Sequence, residues 1–82
     1  MRYAIVIEKA LNNYAAYVPD LPGCVATGTT LDETETLIRE AMAFHIQGLQ
    51  ADGQPVPPSN SQVESIDVSV RPRGLFPEQK KR

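Results

Sequence analysis

Tyr14-Ala15-Ala16-Tyr17-Val18-Pro19-Asp20-Leu21-Pro22-Gly23-Cys24-Val25-Ala26-Thr27-Gly28-Thr29-Thr30-Leu31-Asp32-Glu33 reads as a strand, a rigid bend, a second strand and the capped start of a helix. Pro19 holds its own φ near −65° and pushes Val18 towards extended geometry. Pro22-Gly23 suits a turn with proline in the second place and glycine in the third, where φ is positive. Asp20 has the side chain for an Asx-type hydrogen bond within that bend. Gly28 breaks the strand just before Thr30, which can cap a helix together with Glu33 three residues on.

Ahead of this stretch, residues 2–8 alternate Tyr3, Ile5 and Ile7 with Ala4, Val6 and Glu8. Both faces are largely apolar and β-branched, the pattern of a central strand. Residues 9–13 connect it to residues 14–18 as a hairpin, and residues 24–27 form a third short strand. From Leu31 to about Asp52 the period becomes helical. An apolar arc holds Leu31, Thr34, Leu37, Ile38, Ala41, Met42, Phe44, Gly48 and Leu49, with His45 in its middle. The opposite arc carries Asp32, Glu33, Thr36, Arg39, Glu40, Ala43, Gln47 and Gln50. Such a helix lies on a sheet, and Gly53 suits the residue just beyond its end. Residues 54–61 are too rich in proline for either regular element. Residues 63–70 alternate again, with Ile66, Val68 and Val70 inward and Ser65, Asp67 and Ser69 outward, which predicts a half-buried fourth strand. Residues 71–82 have no period and read as a flexible basic tail. The expected fold is α+β in two layers, β-β-β-α-β, an antiparallel-rich sheet with one helix across one face.

Eighty-two residues make one small domain, residues 1–70 with the tail at 71–82. A chain of this size buries only roughly 60% of its unfolded surface. A homodimer or tetramer joined through exposed strand edges is therefore expected. The single cysteine, Cys24, has no partner for an internal disulfide and reads as a small core residue. No leader-like or membrane-spanning apolar run is present, so a soluble, cytoplasmic protein is expected. Charge is unevenly spread. Residues 1–70 hold Arg2, Lys9 and Arg39 against Glu8, Asp20, Asp32, Glu33, Glu35, Glu40, Asp52, Glu64 and Asp67, a net of −6. Residues 71–82 hold Arg71, Arg73, Lys80, Lys81 and Arg82 against Glu78, a net of +4. An acidic body repels nucleic acid and suits a basic partner, whereas the tail has the opposite preference.

Catalytic chemistry finds little support. His45 is the only histidine and falls on the packed face, and nothing in the spacing brings it to Cys24. Metal-dependent nuclease chemistry needs carboxylates converging from strand interiors. The first strand offers only Glu8 at its end, and Asp32, Glu33, Glu35 and Glu40 fall at the helix start or on its outer side. Gly23 and Gly28 are not spaced as a phosphate-binding loop. No catalytic residue, cofactor or metal is expected.

The order Tyr14-x-Ala16-x-Val18-Pro19-Asp20-Leu21-Pro22-Gly23-Cys24, then Gly28-x-Thr30-x-x-Glu33, resembles the HicB antitoxin family. So do the helix segment from Ala41 to His45 and Asp52-Gly53-Gln54-Pro55-Val56-Pro57-Pro58-Ser59. The resemblance covers residues 1–70 and implies a partial ribonuclease H-like fold that has lost its catalytic carboxylates. It also implies a non-catalytic protein that binds and masks a small basic HicA toxin, which cleaves mRNA using a histidine. On that reading Pro19, Asp20, Pro22, Gly23, Gly28, Thr30, Glu33 and Gly53 are scaffold. Asp32, Glu33, Arg39 and Glu40 on the helix are candidate partner-binding residues. Many HicB-like proteins also carry a C-terminal ribbon-helix-helix or helix-turn-helix unit that binds their operator; residues 71–82 are too few to form one, so a short form lacking the C-terminal DNA-binding domain is expected. The alternative is an orphan regulatory protein that contacts nucleic acid through Arg71, Arg73, Lys80, Lys81 and Arg82.

Overall fold

The computed structural model describes residues 1–70. Three strands, β1 (Val6–Lys9), β2 (Tyr14–Tyr17) and β3 (Val25–Gly28), are followed by one helix, α1 (Leu31–Ala51). The strands form an antiparallel sheet in the order β1-β2-β3. The helix lies across β3 and β2, giving two layers of the α+β class.

Register follows from where apolar side chains fall. Ile7, Ala16 and Ala26 stand in one row across the sheet. Ala16 is buried, and Ile7 and Ala26 pack against the same core. Val18, Leu21, Cys24 and Ile38 complete it, so the bend contributes as much of the core as the strands do. Burying a side chain such as Leu21 or Ile38 contributes about 1.5–3 kcal/mol. The small residues Ala16 and Ala26 leave room for the helix to approach.

The bend is two linked turns. Leu21 N–H donates to the Val18 carbonyl (3.1 Å), with Pro19 in the second place. Cys24 N–H donates to the Leu21 carbonyl (3.1 Å), with Pro22 second and Gly23 third at φ +86°. Val18 N–H then donates to the Cys24 carbonyl (3.2 Å), closing the loop so that β2 runs directly into β3.

Both helix ends are capped. Thr30 is extended (φ −129°, ψ 163°) and its hydroxyl accepts from Glu33 N–H at 3.0 Å. Glu33 Oε1 in turn accepts from the N–H and the hydroxyl of Thr29, at 2.6 and 2.8 Å. At the far end Gly53 (φ +69°) donates to the Gln50 carbonyl and Gln54 N–H to the Leu49 carbonyl, the paired bonds of a Schellman motif. Thr34 is fully buried, its hydroxyl donating to the Thr30 carbonyl at 2.7 Å.

Four expectations are corrected. First, β1 is an edge strand and β2 the central one. Val6, the apolar residue of β1 on the face away from the helix, is only half-buried, so two apolar faces did not mean two covered faces. Pairing of β1 starts only at Val6, opposite Tyr17, because the next residue on β2's side, Val18, has turned into the bend. Second, residues 63–70 form no strand: Val63, Ile66, Val68 and Val70 are 75–81% exposed. Alternation supplies a face but no neighbour to pair with. Third, Phe44 is 79% exposed, while Met42 and Ile46 pack on the core. The helix is rotated about its axis relative to the arc drawn from sequence, towards Ile46. Fourth, Asp20 does not cap its own turn but reaches across to Asn60 and Ser61. The tail and its Arg71, Arg73, Lys80, Lys81 and Arg82 lie outside the described residues.

Candidate partner-binding surfaces

Three surfaces are built on this frame. The first is the outer side of α1. Asp32, Thr36, Arg39 and Glu40 are all exposed there. Glu33 is exposed as well, but its carboxylate is committed to Thr29, and those hydrogen bonds hold it below the usual carboxylate range. Asp32 and Glu40 are thus the acidic groups of the predicted set that bear no capping role. Arg39 turns towards the edge of the sheet rather than joining them.

The second surface is a groove along the edge of the sheet. Because α1 covers β3 and β2, the chain leading into β1 overhangs the helix flank. An open cavity of about 540 Å³ results, lined by Tyr3, Ile5, Ile38 and Met42 and by the charged Arg2, Glu35 and Arg39. Neither the groove nor its two arginines could be read from spacing, since Arg2 and Arg39 meet only through the packing of α1 on the sheet.

The third is the open face of the sheet, where Val6, Tyr17 and Val25 stand in one cross-strand row. Tyr17 is 42% and Val25 64% exposed.

A clamp fixes the segment after the helix. Asp20 Oδ2 accepts from the N–H groups of Asn60 and Ser61, both at 2.8 Å, and Oδ1 accepts from the Ser61 hydroxyl at 3.0 Å. The Ser61 backbone bond, followed by the others, holds the Asp20 carboxyl below its ordinary range. The Tyr3 hydroxyl donates to the Pro57 carbonyl. These contacts span 54 residues or fewer of sequence but no local motif announces them; a lone aspartate in a bend has too many nearer donors.

Neither group considered for catalysis is fully open to solvent. Cys24 is buried, and desolvation pushes its thiol above the ordinary range, away from the reactive thiolate. His45 is half-buried on α1. Among the described residues no group of three or more His, Cys, Asp or Glu side chains is placed to hold a metal ion. No helix among them is long and apolar enough to cross a membrane. What the surface offers is shape, charge and unpaired strand edge.

Comparison with known proteins agrees in kind. Residues 3–72 match the family model for the HicB-like antitoxin of bacterial toxin-antitoxin systems. A 14.9 kDa protein of Haemophilus phage HP1 is 45% identical over 60 residues, which is 73% of this chain and 45% of the phage protein; the chain thus spans less than half of that relative. A UPF0150 protein of Synechocystis is 36% identical over 69 residues, 83% of this chain and 87% of the relative. Among solved structures, a chain of the HicA3 and HicB3 toxin-antitoxin complex superposes with a TM-score of 0.63 at 35% identity, covering 72% of this chain and 70% of that one. With the bend, the capped helix and 70 of the 82 residues accounted for by one family, this chain belongs to the HicB-like antitoxins of bacterial toxin-antitoxin systems.

Proposed function

We propose that this chain is a non-catalytic antitoxin that neutralises a small basic HicA-like toxin, an mRNA-cleaving ribonuclease, by binding over its active surface. The family match over residues 3–72 carries this reading. The solved neighbour is a chain of a toxin-antitoxin complex, which supports a toxin of the HicA kind as the partner. Charge supports it independently: the net −6 of residues 1–70 complements a basic protein and accelerates encounter with it. Asp32 and Glu40 on the exposed side of α1 are the acidic groups proposed to face the toxin. The complex forms in the cytoplasm, where mRNA is cleaved.

The test is co-expression with any small basic protein encoded beside it. The neighbour should arrest growth alone, be harmless with this chain and co-purify with it. Reversing Asp32→Lys and Glu40→Lys together should slow association about tenfold and flatten its salt dependence. If no basic ribonuclease is encoded nearby and none co-purifies, the masking role fails. A nucleic-acid role through Arg71, Arg73, Lys80, Lys81 and Arg82 would then be tested by deleting residues 71–82 and following DNA or RNA binding at low salt.

A further inference from the structure

One large side chain of α1 has no place in the packing of the chain. Phe44 is 79% exposed, although Met42 and Ile46, two residues before and after it, pack on the core. Glu40, Gln47, Gly48 and Ala51 share its face of the helix at spacings of three, four and seven, and all are exposed. Gly48 is the odd residue among them, because glycine is a poor helix former. Nothing within the chain requires it: its φ is not positive, and a Cβ built on it would meet nothing within 4 Å. What Gly48 does is leave the helix backbone bare one turn beyond Phe44. An exposed aromatic ring thus stands beside a notch.

The charge around this patch is of one sign. Residues 41–51 contain no Asp, Glu, Lys or Arg. Glu40 lies one turn ahead of Phe44, and Asp52 caps the helix just after Ala51. No basic residue occupies the last turn, where a cation would offset the negative end of the helix dipole. Arg39, the one basic residue of α1, lines the groove at the edge of the sheet instead. An uncharged aromatic centre with a charged rim is the anatomy of a protein contact. Here the rim is negative. The same face of a second copy brings no cation to it, whereas a basic protein does.

We propose that Phe44 is the anchor of the toxin contact. This rests on the masking reading and deepens it by naming where the toxin seats. The toxin lies against the C-terminal half of α1, takes the Phe44 ring into an apolar pocket and closes over the bare backbone at Gly48. Its basic side chains lie against Glu40 and Asp52. Asp32, at the start of the helix, speeds encounter rather than joining the close contact.

The experiment is a calorimetric titration of the full chain with the small basic neighbour that co-expression yields. Phe44→Ala should weaken binding about 30-fold or more, as loss of a central aromatic anchor does. Its helical circular dichroism and urea melt should match the wild type, since the ring is exposed in the free chain. Gly48→Lys should fold at least as stably, lysine being the better helix former. It should nevertheless weaken binding about tenfold or more, by filling the notch with a cation that repels a basic partner. Leu11→Ala, which removes an equally exposed apolar side chain from the β1–β2 connection, should change affinity less than about twofold. A neighbour that binds wild type and Phe44→Ala equally would overturn the anchor and leave the masking role standing. A neighbour that does not bind the wild-type chain, or the lack of any such neighbour, would overturn both. Self-association lost in Phe44→Ala with neighbour binding intact would also overturn the proposal, the patch then facing a second copy.

Discussion

β2 and the arm at residues 62–70 both read as strands in the sequence and have opposite fates. β2 is apolar at each of its four positions and the arm at alternate ones from Ile66 to Val70, yet β2 lies at the centre of the sheet with Ala16 buried, whereas the arm exposes its four branched aliphatics. The difference is in what flanks them. β2 is joined to β1 by a short connection and to β3 by a bend locked with two prolines and a positive-φ glycine, so a partner strand is delivered on each side. The arm follows a proline-rich segment pinned to Asp20, which sets its starting point and brings no neighbour. Strand pattern is therefore a statement about a face. Strand formation is a statement about an edge.

The contrast can be broken most forcefully in the core. Ile38→Ala should cost about 2–5 kcal/mol in a urea melt, through lost transfer energy and the cavity left under β2 and β3. Val68→Ala should cost less than about 0.5 kcal/mol in the same melt, its side chain being exposed. Equal costs would mean that the arm is buried in one copy. A smaller effect comes from the junction between β3 and α1. A Cβ at Gly28 would stand 2.6 Å from Thr34 Oγ1 and 3.0 Å from Thr34 N. That hydroxyl is buried and bonded to the Thr30 carbonyl, so it cannot swing aside. Gly28→Ala should therefore destabilise by about 1–3 kcal/mol in the same melt. Retention of full stability would show that helix and sheet can slide apart at no cost.

The mildest test concerns the clamp. Asp20→Ala should leave the melt of the sheet and helix nearly unchanged and raise amide hydrogen exchange at Asn60 and Ser61. Acid should do the same. The Asp20 and Glu33 carboxyls are held below their ordinary ranges in the fold. Their contribution is fully present above the unfolded carboxylate range, near pH 4, and is lost only as pH falls through the lower folded values. Exchange at Asn60 and Ser61 that rises between pH 7 and 5 would contradict this.

Much of the fold is local and was legible. Pro22-Gly23 dictates its turn because few other pairs tolerate that geometry, and Thr30, Glu33 and Gly53 satisfy the helix ends with groups no more than a few residues away. The long helix follows from its own periodicity. The candidate surfaces were legible only in part. Exposure of Asp32 and Glu40 could be read from their side of α1, but Glu33 could equally bind a partner or cap, and only its bonds to Thr29 decide.

By itself, then, the sequence determined the elements within reach of their own neighbours: the bend, the caps, the helix, the family and the acidic balance of the body. Tertiary structure alone decided that β1 is the edge, that the helix turns Ile46 inward and Phe44 outward, and that Asp20 holds residues forty positions away. It also brought Arg2 and Arg39 to one groove and, among the described residues, left 63–70 without a strand to pair with. The physical reason is range. Turn and cap preferences act across a few bonds, whereas strand order, helix rotation and clamp contacts depend on which apolar surfaces meet when the whole chain closes.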